Sequence, residues 1–128
     1  MRIDEMQAGR KMDKAVSQYV FGNTEFVCRN CEDDYHVVDR QDLTAYIPVP
    51  NYSTDIAAAW GVVKKLQQHF FINIVVGREA GKANGKFGVD VEIGPYDAEG
   101  WVLVSMDAPE APLAICRAAL DLTSYLKG

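Results

Sequence analysis

The chain is short of the features that announce a chemistry. It has two histidines, His36 and His69, and neither can be given a Ser or Cys partner from sequence. No nucleophile elbow is present, so nothing points to an acyl-transfer or hydrolytic site. Basic excess is also missing. Thirteen Lys and Arg stand against 18 Asp and Glu, for a formal net charge of −5. Without a basic field to attract phosphates, general nucleic-acid or membrane-surface binding is disfavoured. The charge is too small and too scattered for a mimic of DNA. No apolar run approaches the roughly 20 residues that a membrane helix needs, and the N-terminus is polar rather than signal-like. Cysteine is scarce and odd in number, at three. With no export signal, that argues for free thiols in a reducing compartment, and a cytoplasmic protein is expected. No repeat or low-complexity tract interrupts the chain.

What is present reads as one ordinary globular domain over residues 1–128, with 48% hydrophobic and 24% charged residues. Its most legible stretch runs from Tyr52 to His69. Ser53 or Thr54 is placed to cap a helix, Asp55 puts a negative charge in the first turn, and Pro48 and Pro50 hold the preceding chain extended. Ile56, Ala59, Trp60, Val63 and Leu66 then recur at helical spacing, with Trp60 expected to be the largest contribution to the core. Lys64, Lys65, Gln67 and Gln68 fall on the opposite face.

Upstream, Met12, Ala15, Val16, Tyr19 and Val20 predict a helix between Gly9 and Phe21, with Gly22 in the position of a left-handed C-terminal cap. Residues 23–51 are harder to read. Thr24–Cys28 and His36–Asp39 predict two short strands, and Leu43–Val49 a third extended piece that Pro48 assigns to an edge or a loop. Downstream the period changes to two. Phe70–Gly77 is a strand with few polar residues, expected to be covered on both faces. Asn84-Gly85 marks a turn. In Lys86–Gly94, Phe87, Val89, Val91 and Ile93 alternate with Gly88, Asp90 and Glu92, and Trp101–Met106 follows as a third strand of an antiparallel meander. The chain closes in a helix with Pro109 and Pro112 in its first turn. Its stripe of Ile115, Ala119, Leu122 and Leu126, widened by Leu113, Cys116 and Leu120, implies deep burial or burial shared with a second copy. The fold class is therefore α+β, an antiparallel sheet of three or more strands sandwiched with three helices in the order α-x-α-β-β-β-α.

Three places could carry chemistry. Cys28-x-x-Cys31 has the spacing of a zinc half-site, with His36 within reach and Cys116 a conceivable fourth ligand, but a second pair is missing. Two free thiols in a loop explain the pair more simply, so no cofactor is expected and zinc is the alternative. Arg78, Lys82 and Lys86 stand in a Gly-containing connection whose backbone can cradle an anion. Ser53 and Thr54, at a helix start, offer a second anion site that Asp55 opposes. A solvated hairpin and an ordinary cap are the simpler explanations. Asp90 and Glu92 share one face of a strand, where an acid pair for glycoside chemistry would need two facing elements. A solvated sheet face accounts for them.

Three blocks together resemble a known family. They are Ala8-Gly9-Arg10-Lys11-Met12-Asp13 with Val20-Phe21-Gly22, then Tyr52-Ser53-Thr54-Asp55-Ile56-Ala57-Ala58-Ala59-Trp60, then Ala111-Pro112-Leu113-Ala114-Ile115-Cys116-Arg117-Ala118-Ala119-Leu120. The pattern is similar to the small proteins of Bacillus-type phages and prophages that share the phage α-β-α (ABA) sandwich domain. The likeness spans most of the chain and is weakest over Cys28–Asp42. Lys11 stands where an acidic residue is expected, a surface change. The resemblance implies a phage or prophage origin and a helix–sheet–helix sandwich, and it carries over no catalytic residue. The function expected on these grounds is that of a non-enzymatic accessory protein in the host cytoplasm, acting by protein binding or by self-assembly as a homo-oligomer. The alternatives are a binder of a small anionic ligand, such as a nucleotide signal used in host defence, and a zinc-stabilised interaction module.

Overall fold

The computed structural model describes residues 6–29, 34–38, 45–78, 87–96 and 102–127. Its elements follow the chain as α1 (Arg10–Tyr19), β1 (Phe26–Arg29), β2 (Asp34–Val38), β3 (Tyr46–Pro48), α2 (Ile56–Gln67), β4 (Phe70–Arg78), β5 (Phe87–Pro95), β6 (Val104–Ala108) and α3 (Ala111–Lys127). The strands form two antiparallel sheets, β1-β2-β3 and β4-β5-β6. Three helices and antiparallel strands make the α+β sandwich that the sequence predicts, and residues 23–51, the hardest part to read, supply the second sheet.

Helix α3 is the centre of the molecule. From Pro112 to Leu120 every residue is buried. One helix can be dry all round only if other elements enclose it, and α3 packs on β5, β6, α2 and α1 of its own chain. A second copy is not needed to cover it. The expected stripe holds at Ile115, Ala119 and Leu122 but ends there, since Leu126 is exposed in the last turn beyond the sheet. Pro109 precedes the helix, and Pro112 alone sits in the first turn.

Two expectations for α2 are overturned. Its buried side is Ala59, Val62, Val63 and Leu66, while Trp60 and Ile56 are about half exposed, at 49% and 53%. Helix α2 turns Ala59, Val62, Val63 and Leu66 inward, where it meets α3, and this rotation carries Trp60 outward. The cap also differs. Asp55, not Ser53 or Thr54, is the N-cap residue, and its carboxylate accepts from Ala57 N–H at 3.1 Å. Helix α1 buries Met12 and Val16 as expected, and with them Asp13 and Ser17. Gly22 does adopt the left-handed conformation, with φ 76°.

The β4-β5-β6 sheet has an inner face under the helices and an outer face open to solvent. On β5, Val89, Val91 and Ile93 point inward and are almost fully buried, matching the predicted alternation. β4 is not covered on both faces. Phe71 and Val75 on its outer side and Val76 on its inner side are 46–59% exposed, because β4 is an edge strand carrying a single helix layer. β6 begins later than predicted, at Val104, with Trp101 outside the described residues; its pairing with β5 sets the register, Ile93 opposite Val104 and Val89 opposite Ala108.

Candidate functional site

The three sequence blocks meet at one buried junction, and its parts come from distant stretches of chain. Gly9 precedes α1 with φ 150° and ψ −175°. A side chain is strained in that region, which glycine alone enters cheaply. This bend turns the Gly9 N–H onto Ser53 Oγ at 2.9 Å. Ser53, in the turn before α2, donates twice to one carboxylate oxygen of Asp13: its N–H lies 2.8 Å and its Oγ 2.7 Å from Oδ1. The other oxygen, Oδ2, receives Arg10 Nη1 at 3.1 Å. The same guanidinium reaches Asn51 Oδ1 at 2.7 Å and Tyr35 O at 3.3 Å. Asp13 and Ser53 are each 1% exposed. A buried carboxylate is tolerable only when its lone pairs are filled by well-placed donors, and here they are.

Neighbouring groups complete the junction. Tyr52 is buried and stacks on Phe21, with ring centroids 5.2 Å apart. Burial, then the Asp13 charge and Cys116, push its phenol up to about 12. Cys116 on α3 is fully buried, and burial followed by the Asp13 charge pushes its thiol up to about 12. A thiol buried and held protonated is a poor nucleophile. Lys14 lies 5.0 Å and 5.4 Å from the ring centroids of Tyr35 and Phe26, tying α1 to the first sheet. The junction is thus a latch joining α1 and the turn before α2 over α3.

That latch decides the status of one candidate ligand residue. Ser53 spends its hydroxyl and its N–H on Asp13 and Gly9, so neither is left to hold an external anion. Thr54 is exposed, with its N–H bonded to Asn51 O at 3.3 Å. Arg78 is the last residue of β4. Lys82 and Lys86 lie outside the described residues, as does Cys31. Cys28 lies in β1 opposite Tyr35. Among the described residues, no three His, Cys, Asp or Glu side chains come together as a group able to hold a metal.

The second notable surface is the outer face of β4-β5-β6. Asp90 stands directly opposite Asp107, and Glu92 opposite Ser105. On the other side of β5, Val75 is opposite Asp90 and Asn73 opposite Glu92, with Asn73 Nδ2 donating to Glu92 Oε1 at 3.2 Å. Phe71 completes this side of β4. Sequence reading found Asp90 and Glu92. It missed Asp107, because only the strand register brings a third carboxylate to them.

No helix is long and apolar enough to cross a membrane among the described residues. No curated protein and no solved structure matches the chain. The model of one family, the phage ABA sandwich domain, matches residues 14–120. That span includes Ser53, both sheets and most of α3, and it begins one residue after Asp13. Fold and match agree: this is a phage protein of unspecified role, and the chain belongs to the phage ABA sandwich domain family.

Proposed function

We propose that the protein is a non-enzymatic accessory protein acting in the host cytoplasm by binding another protein through the outer face of β4-β5-β6. The single observation that carries this reading is the opposition of Asp90 and Asp107 on neighbouring strands, both exposed. Like charges directly opposite in a sheet are destabilising, and Glu92 adds a third carboxylate to the same face. Beside them stand Phe71 and Val75, 46% and 49% exposed. An acidic row flanked by half-exposed apolar side chains suits a partner presenting Lys or Arg together with apolar residues, which would neutralise the row and cover the patch. Catalysis is not favoured: the best-held carboxylate, Asp13, is filled with donors, and the Cys116 thiol is neutral.

The test compares wild type with Asp90→Asn/Asp107→Asn. Each is used to capture proteins from an extract of infected host, and the captured protein is then titrated in purified form. The expected partner is basic, binds with an affinity that falls as salt rises, and binds the variant at least tenfold more weakly. Equal affinity for both proteins, or an affinity indifferent to salt, would remove this face as the interface.

A further inference from the structure

Among the described residues the two sheets have four edge strands, and the chain protects three of them. β3 has only three residues and includes Pro48, β1 has four residues, and β6 has five with Asp107 among them. Short length, proline and charge are the usual means of keeping an edge from pairing with another chain. The fourth edge, β4, has none of them. It runs nine residues, Phe-Phe-Ile-Asn-Ile-Val-Val-Gly-Arg, with no proline and no charge before its last position. Among the described residues its backbone pairs with β5 alone. The exposed Phe71, Val75 and Val76 all lie on it, and α2, the helix packed against it, carries the exposed Ile56 and Trp60.

We infer that β4 pairs antiparallel with β4 of a second copy about a two-fold axis, joining the two β4-β5-β6 sheets into one of six strands. An antiparallel edge is self-complementary, since a two-fold axis sets each strand's free N–H groups against the other's carbonyls. The side chains agree with it. With Ile74 on the axis, Asn73 faces the partner's Val75 and Phe71 the partner's Gly77, so no like charges are opposed. The two Arg78 residues end on opposite sides, about 26 Å apart at the ordinary strand rise, far beyond the screening length of about 8 Å at physiological salt. The axis keeps the outer faces on one side, so the two acidic rows become a single surface. This assembly does not depend on a basic partner and stands or falls separately.

The experiment is sedimentation velocity over a concentration series, with hydrogen exchange on the same samples. Wild type is expected to sediment at twice the mass of the chain, and Val75→Lys/Val76→Lys at the mass of one chain with its circular dichroism unchanged. Both positions are exposed, and the ammonium introduced by Val75→Lys stands beside Asp90, so folding is spared. Asp90→Asn/Asp107→Asn should remain a dimer, which separates edge pairing from partner binding. In wild type, the alternate β4 amides not bonded to β5 should exchange slowly when concentrated and faster on dilution. A wild type that stays a single chain throughout the series would overturn the inference. So would a lysine variant that stays dimeric, or outward β4 amides that exchange freely at every concentration.

Discussion

Replacing Ser53 by alanine tests the latch directly, because a single atom there serves two partners. Ser53 Oγ donates to Asp13 Oδ1 at 2.7 Å and accepts from Gly9 N–H at 2.9 Å. Losing a hydrogen bond to a charged group costs about 1.5–3 kcal/mol, and the Gly9 N–H, only part-buried, can turn to water and adds less than about 1 kcal/mol. The Asp13 carboxylate keeps the Ser53 N–H and Arg10, so the full penalty of an uncompensated buried charge is not reached. The expected loss is therefore about 2–3 kcal/mol, a large fraction of the stability of an ordinary domain. Urea unfolding measures it: the midpoint should fall with the slope unchanged, since the surface exposed on unfolding stays the same. Thr54→Ala is the control next door. Thr54 is exposed and does not cap α2, so its loss should stay within about 0.5 kcal/mol. If Ser53→Ala costs less than about 1 kcal/mol, or no more than Thr54→Ala, the buried junction does not hold the two segments together. A double-mutant cycle with Asp13→Asn then shows whether the loss belongs to the pair.

Tyr52 and Cys116 make stability fall in alkali. Both acids keep their protons to about 12 in the folded protein, against ordinary values of 10.0 and 9.0, so the folded state binds more protons at high pH. Their contribution is complete below about pH 9 and is lost as pH rises toward about 12; Tyr52→Phe should flatten the decline of the urea midpoint with pH, and an identical decline in that variant would refute its part. At the outer face, Asp107→Asn removes a like-charge opposition and should raise stability by about 0.2–1 kcal/mol, more at low salt than at high. Thermal melting at two salt concentrations checks this, and a lower midpoint would show that Asp107 is held by an attraction.

Local patterns were enough to read most elements but not their surroundings. The alternation of Val89, Val91 and Ile93 and the spacing of Met12 and Val16 are properties of neighbouring residues, so a strand and a helix could be read from them. Trp60 illustrates the limit. It sits one position beyond Ala59, about 100° around the helix, and only the packing of the helix decides which of the two enters the seam. β4 is similar, since an apolar run looks alike whether it becomes a central strand or an edge. The candidate site was legible only in fragments. Gly9, Asp13 and Ser53 could be quoted as parts of blocks, but Asp13 and Ser53 stand 40 positions apart and nothing local says that they touch.

The sequence alone determined the small acidic character of the chain, its helices and strands, the left-handed Gly22, and its likeness to a phage family, because these depend on composition and on periods of two or 3.6. The tertiary structure decided the rest. It turned Ser53 from a helix cap into the partner of a buried carboxylate and moved the cap to Asp55. It placed Asp107 opposite Asp90, carried Trp60 to the surface, and left β4 as an open edge among the described residues. Apart from the Asp55 cap, which is local, each of these is a relation between residues far apart in sequence, set by strand register and helix rotation, which arise only when the layers pack.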